Sequence, residues 1–203
     1  MAGFTAIAAV GKSIERLLAN AFLDRAPVPG KTTKAALIRA EDITDAQIKV
    51  SIGDYGLSIL LYRVDFNKTM RAAWSAVGYH DGVAHLPLDL HFLLTAWAGN
   101  AEHEHALLGR ALQILETLPI LSGPLLQPAG GWAAGDAVQV SMEEISTEAV
   151  MRTFDSLPVD YRLSVPYIVR VIRLDGREAA VRPTVTTAVT GTVPQTTTAR
   201  TAP

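Results

Sequence analysis

The residues of this 203-residue chain best suited to chemistry are its five histidines, and all of them fall in one stretch: His80, His85, His91, His103 and His105. Asp81, Asp89, Glu102 and Glu104 are interleaved with them. Imidazole nitrogens and carboxylate oxygens are the donor set of a hydrolytic metal centre. The spacing resists that reading. Helical ligands pair at i and i+4, whereas His103 and His105 are two apart, about 200° around a helix. Asp89 and His91 would share one strand face, with Pro87 obscuring the register back to His85. A hydrogen-bonded interior Asp–His pair is the reading favoured over a metal. The competing reading is a small metal-dependent hydrolytic enzyme using the His80–His105 region.

Other chemistry finds less support. The chain shows no Gly-rich phosphate loop, nucleophile elbow or dinucleotide fingerprint. Arg39, Arg63, Arg71, Arg110, Arg152 and Arg170 are dispersed. There is no Cys, which removes thiol chemistry, disulfides and sulfur-ligated zinc. No catalytic, cofactor-binding or metal residue is nominated, and no cofactor is expected.

The histidines hang on the longest apolar run, His85–Trp97, which predicts a strand buried on both faces near the centre of a sheet. Pro87 has no N–H for a ladder and must sit at a bulge or at the start of the strand. A helix from Ala101 to Leu118 follows. Asn100 is its N-cap, Glu102 and Glu104 sit in the favourable first turn, and Ala106, Leu108, Leu112, Leu115 and Leu118 face the core. Pro119 ends it.

Upstream, Phe4, Ile7, Ala8, Gly11, Ile14, Leu17, Leu18 and Phe22 form the apolar face of a helix over Thr5–Phe22. Lys12, Ser13, Glu15, Arg16 and Asn20 lie opposite. Residues 24–33 read as a loop and Ala35–Ala40 as a short strand. Ile48, Val50 and Ile52 alternate with Lys49 and Ser51, which predicts a strand. It would form a hairpin with Leu57–Phe66 through Asp54-Tyr55-Gly56. Residues 68–81 read equally as a short helix or a loop.

Downstream, residues 122–136 form a long Gly/Pro loop. Its Trp132 is either an anchor on its own domain or an interface residue. Then come a strand over Ala137–Ile145, a helix from Ser146 to about Ser156, and a strand over Tyr167–Leu174. An Asp175-Gly176 hairpin turn leads to a partner strand, Ala179–Thr186. The order predicts an α+β fold: one mixed or mostly antiparallel sheet with packed helices, plus an extended C-terminal arm.

A hydrophobic fraction of 49% can build a core, and a formal net charge of -2 gives no steering toward nucleic acid or an anionic membrane. The N-terminus lacks a basic n-region, and no run reaches the ~18 apolar residues of a membrane helix. The expectation is a soluble protein, cytoplasmic at synthesis, without direct membrane insertion. Residues 1–182 are expected to form the domain and 183–203 a Thr/Val-rich tail, extended or disordered. Val181, Val185, Val189 and Val193 recur every four residues and would share one face of a strand. Such an arm could add a strand to a neighbour's sheet edge. Trp132, Thr184, Val185, Val189 and Val193 are the interface candidates.

Leu86-Pro87-Leu88-Asp89-Leu90-His91-Phe92-Leu93-Leu94-Thr95-Ala96-Trp97, followed by Leu107-Leu108-Gly109-Arg110-Ala111-Leu112-Gln113-Ile114-Leu115, resembles the core pattern of a known family. It is that of the cap, or tube-terminator, proteins of contractile injection systems of the virulence-cassette and antifeeding-prophage type, which are similar to contractile phage tail terminators. Phe4-Thr5-Ala6-Ile7 with Ser13-Ile14, Leu60-Leu61-Tyr62-Arg63-Val64 and Leu163-Ser164-Val165-Pro166-Tyr167-Ile168-Val169-Arg170-Val171 resemble further segments of it, in order, over about residues 3–182. The resemblance implies a structural protein and no enzyme. It implies a self-assembled, hexameric ring that ends the inner tube and anchors the end of the sheath. Its partners would be the inner tube protein and the sheath protein, in a phage tail-like particle that is either released or kept inside the cell. Leu86–Thr95 and Gly109-Arg110 are then expected to be mainly core.

Overall fold

The computed structural model describes residues 2–74 and 84–176. His80, Asp81, the expected Ala179–Thr186 strand and the whole tail lie outside the described residues. The elements are α1 (Ala6–Asp24), β1 (Lys34–Ile38), α2 (Asp45–Ile52), β2 (Gly56–Phe66), α3 (Lys68–Trp74), β3 (His85–Trp97), α4 (Ala101–Thr117), β4 (Ile120–Ser122), β5 (Ala137–Met142), α5 (Thr147–Asp155) and β6 (Ser164–Asp175). The six strands form one mixed sheet in the order β1-β2-β3-β6-β5-β4. Only β1 runs parallel to its neighbour, and the other pairs are antiparallel. This is the α+β sheet the order of elements predicts.

β3 takes the centre because it is apolar on both faces. Leu88, Leu90, Phe92, Leu94 and Ala96 pack under α1 and α4, while Leu93 and Trp97 pack on the other side with α2 and α5. Pro87 sits near the start of β3, beyond the last β2 pair, Phe66 with Leu88. α4 and α5 are capped as expected: Asn100 Oδ1 accepts from His103 N at 2.9 Å, and Ser146 Oγ accepts from Ala149 N at 3.2 Å. The buried face of α4 is Leu107, Leu108, Ala111, Ile114 and Leu115, with Leu118 outside. It lies rotated from the expected stripe, which counted Leu118 although the helix ends at Thr117.

The strand expected at Ile48–Ile52 is a helix. Val50, assigned to the same face as Ile48 and Ile52, is 81% exposed, while the two isoleucines are buried. Residues four apart share a face in a helix as well as in a strand. Local chemistry decides it: Thr44 Oγ1 accepts from Gln47 N at the start, and Gly53 at φ 77° ends the helix. The β2 hairpin therefore does not exist; β2 pairs with β1 and β3 instead.

α1 departs from expectation at two residues. Phe4 precedes the helix and is 91% exposed. Ser13, assigned to the polar side, is buried; its hydroxyl donates to Ala9 O (2.7 Å) and accepts from Gln127 N (2.8 Å). α1 thereby holds the Gly/Pro loop, which folds into 3-10 turns at Gly123–Leu125 and Pro128–Gly130. No helix among the described residues is long and apolar enough to cross a membrane.

Candidate functional site

Two β-bulges lie at the polar site of this molecule. In β2 the register against β3 jumps from Leu61–Phe92 to Arg63–His91, leaving Tyr62 as the extra residue. In β6 it jumps from Val169–Leu90 to Ile172–Leu88, leaving Arg170 and Val171 opposite Asp89. A bulge shifts the alternation of its strand by one residue. Leu57, Ile59 and Leu61 face α1 before the bulge. After it Arg63 and Asp65 turn to the opposite face, level with His91 and Asp89. The bulges flank β3 on both sides and gather the charges into a cleft of 520 Å³.

The cluster's hub is Glu143, placed just beyond β5 by a hydrogen bond from its N to Pro166 O (2.9 Å). Its carboxylate lies 2.9 Å from His91 Nδ1, accepts from Arg63 Nη2 (3.0 Å) and accepts from the Tyr62 hydroxyl (3.0 Å). His91 is buried, and its Nε2 lies 3.3 Å from Asp65, which also pairs with Arg63 Nε at 3.0 Å. Burial, and then the charge of Glu143, push the Tyr62 hydroxyl up to about 12. Asp89 accepts two hydrogen bonds from Asn67 Nδ2 (both 3.1 Å) and lies 3.7 Å from Arg170 Nε.

Asp89 and His91 do line one cleft, as their spacing implies, but they are not each other's partners. His91 is claimed by Glu143, 52 residues away, and Asp89 by Asn67. The interior Asp–His pair of this protein is a different one, His85 Nδ1 with Asp175 at 2.5 Å, which joins the start of β3 to the end of β6. The remaining described histidines are elsewhere. His103 meets Tyr55 edge-on at 5.5 Å between ring centres, and His105 is exposed on α4. The sequence cluster is thus spread along a strand and a helix. Among the described residues no group of three or more His, Cys, Asp and Glu side chains is placed to hold a metal ion.

A histidine beside a carboxylate can act as a base held by an orienting group. Here Glu143 is also bonded to Tyr62 and Arg63, so the arrangement ties β2, β3 and the end of β5 together. Glu143 was not among the sequence candidates. Its signal would have been a lone acid just past a strand, which is too common to single out.

Trp132 is half-buried, packs on the main core and donates from Nε1 to Gln127 O at 2.7 Å. That is the geometry of an anchor on its own loop. Thr184, Val185, Val189 and Val193 lie outside the described residues.

Residues 9–187 match the family model of the Pvc16 N-terminal domain. The chain belongs to that family. Two solved structures share its fold. One is the sheath/tube terminator of an extracellular contractile injection system, PVC, in its extended state. It is 21% identical at a TM-score of 0.57, over 96% of this chain and 65% of that one. The other is the tube-terminating cap of the anti-feeding prophage, 19% identical at a TM-score of 0.55, over 91% of this chain and 60% of that one. This chain therefore spans less than two thirds of either relative. No curated protein sequence matches it. In the motif that carried the resemblance, Leu88–Thr95 is buried core, as expected. Leu86 is 42% exposed and Gly109 has open space around it, so these two are not core. Arg110 is half-buried and ties two helices together, donating to Ala21 O at the end of α1.

Proposed function

We propose that this protein is a structural cap of a contractile injection system. It forms a ring, hexameric as the family resemblance implies, that sits on the last layer of the inner tube, ends its growth and anchors the end of the sheath. The observation that carries the reading is membership of the Pvc16 N-terminal domain family, joined to a fold shared over nearly the whole chain with two tube-terminating proteins. The internal engagement of Glu143, His91, Asp65 and Arg63 supports a structural role over catalysis, because these groups serve one another. The partners are then further copies of the chain, the inner tube protein and the sheath protein, in a phage tail-like particle. A net charge of -2 supports no nucleic-acid partner.

A closed ring needs two different surfaces that meet around an axis. The sheet supplies unlike edges. At the β1 edge the Leu37 N–H is taken by Glu15 at 2.9 Å. The β4 edge is three residues long and begins with Ile120, 57% exposed. Unlike edges suit a head-to-tail contact.

The test is assembly of tube and sheath proteins with and without this chain, followed by electron microscopy. The expected result is tubes of uniform length carrying a sixfold density at one end only. Tubes whose lengths ignore the protein, and particles that purify without it, would overturn the proposal.

A further inference from the structure

An apolar groove of 580 Å³ lies open between α1 and β1. Phe4, Ile7 and Gly11 form one wall, Leu37 the other, and Leu61 and Phe92 the floor. At Gly11 the two walls meet and close the groove at that end: a Cβ there would stand 3.0 Å from both terminal carbons of Leu37. At the groove's end Phe4 is 91% exposed. Contiguous apolar surface of this kind is normally covered by something.

The described chain ends beside it. Asp175 N donates to Ala2 O at 3.1 Å, and Ala2 bridges Leu174, so Gly176 stands a few residues from Phe4. Residues 177–203 follow Gly176 in the chain and lie outside the described residues. From Val181 to Val193 the odd positions read Val, Pro, Val, Thr, Val, Gly, Val; the even ones are Arg182, Thr184, Thr186, Ala188, Thr190 and Thr192. Alternate residues of an extended chain share a face. In an extended conformation this sequence would present one mainly apolar face and one mainly hydroxyl face. An extended chain covers about 3.3 Å per residue, so Val185 can stand ~30 Å from Gly176. That exceeds the ~10 Å rise of a helix over the seven residues from Phe4 to Gly11.

We propose that the groove between α1 and β1 seats the chain's own Val181–Val193 segment, its valines on Phe4, Ile7, Leu37 and Leu61 and its threonines outward. Tethering favours the chain's own segment over a free one, because the docking step is intramolecular. The segment then completes its own domain instead of reaching into a neighbour's sheet. The inference stands apart from the capping role and is tested on the isolated full chain.

The chain has no Cys, so one introduced pair can be read without background. Ala8 is exposed at the groove mouth and tolerates replacement. Ala8→Cys with Val185→Cys is expected to close an intramolecular disulfide at least about tenfold faster than Lys49→Cys with Val185→Cys, since Lys49 is exposed on α2 across the sheet. Equal rates overturn the proposal. A disulfide-linked dimer also overturns it, by giving the groove to another copy's segment. As a second measurement, a single Val189→Cys should react slowly with a thiol reagent and speed up when Ala8→Lys fills the groove mouth. A thiol equally reactive in both backgrounds overturns it as well.

Discussion

Replacing Glu143 by Ala separates a structural cluster from a catalytic one. The substitution removes the carboxylate beside His91 Nδ1, leaving Asp65 3.3 Å from Nε2, and the acceptor of the Tyr62 hydroxyl and of one branch of Arg63. His91 is 3% exposed and cannot turn to water. A buried donor left without a partner costs about 1–3 kcal/mol. The half-buried Tyr62 hydroxyl adds about 1 kcal/mol. Arg63 is 45% exposed and keeps Asp65 at 3.0 Å, so its loss is small. The expected destabilisation is about 2–4 kcal/mol. For a domain of this size that lowers Tm by about 5–15 °C. Thermal and urea unfolding followed by circular dichroism would measure it. Glu148→Ala is the control, because its pair with Arg152 is 73% and 75% exposed and is worth at most about 0.5 kcal/mol. Residues held in place for chemistry commonly cost stability, so removing them leaves a protein equally or more stable. A Glu143→Ala protein with unchanged or raised Tm would therefore refute the structural reading of the cluster.

Three further outcomes are expected. Ile48→Ala should lose about 2–4 kcal/mol of stability while Val50→Ala changes it by less than about 0.5, which urea unfolding distinguishes; a strand with both on one buried face would make the two alike. Tyr62 and Tyr167, both pushed up to about 12, should ionise late in an absorbance titration at alkaline pH, and Tyr62→Phe should remove part of that late phase. Since their folded values lie above the ordinary value of 10, their contribution is complete below pH ~10 and is lost as pH rises toward ~12, so a stability that holds steady over that window contradicts the assignment. Gly130→Ala would place a Cβ 2.3 Å from the Trp132 ring and should destabilise by about 1–3 kcal/mol, with a red shift of tryptophan emission as the anchor is displaced; a neutral result would show that the ring is not fixed on its loop.

By itself the sequence determined the elements whose signal is local and long. β3 was legible because a 13-residue strand with apolar side chains on both faces fits the middle of a sheet. α4 and α5 were legible from their caps, and the motif around Leu88–Thr95 carried the family. Tertiary structure decided the rest, and the reason is physical in each case. Ile48 and Ile52 are four apart, a spacing common to helix and strand, so only the cap at Thr44 and the burial of both residues against Ile43 and Leu60 settled α2. Ser13 is polar by type, yet it is buried because Gln127, 114 residues away, needs an acceptor there. The candidate site was the least legible part. Arg63 and Asp65 share a face with His91 and Asp89 only because a bulge at Tyr62 shifts β2 by one residue. A one-residue shift reverses which face every later side chain occupies. No single strand records it, because a bulge is a property of the pairing between strands distant in the chain.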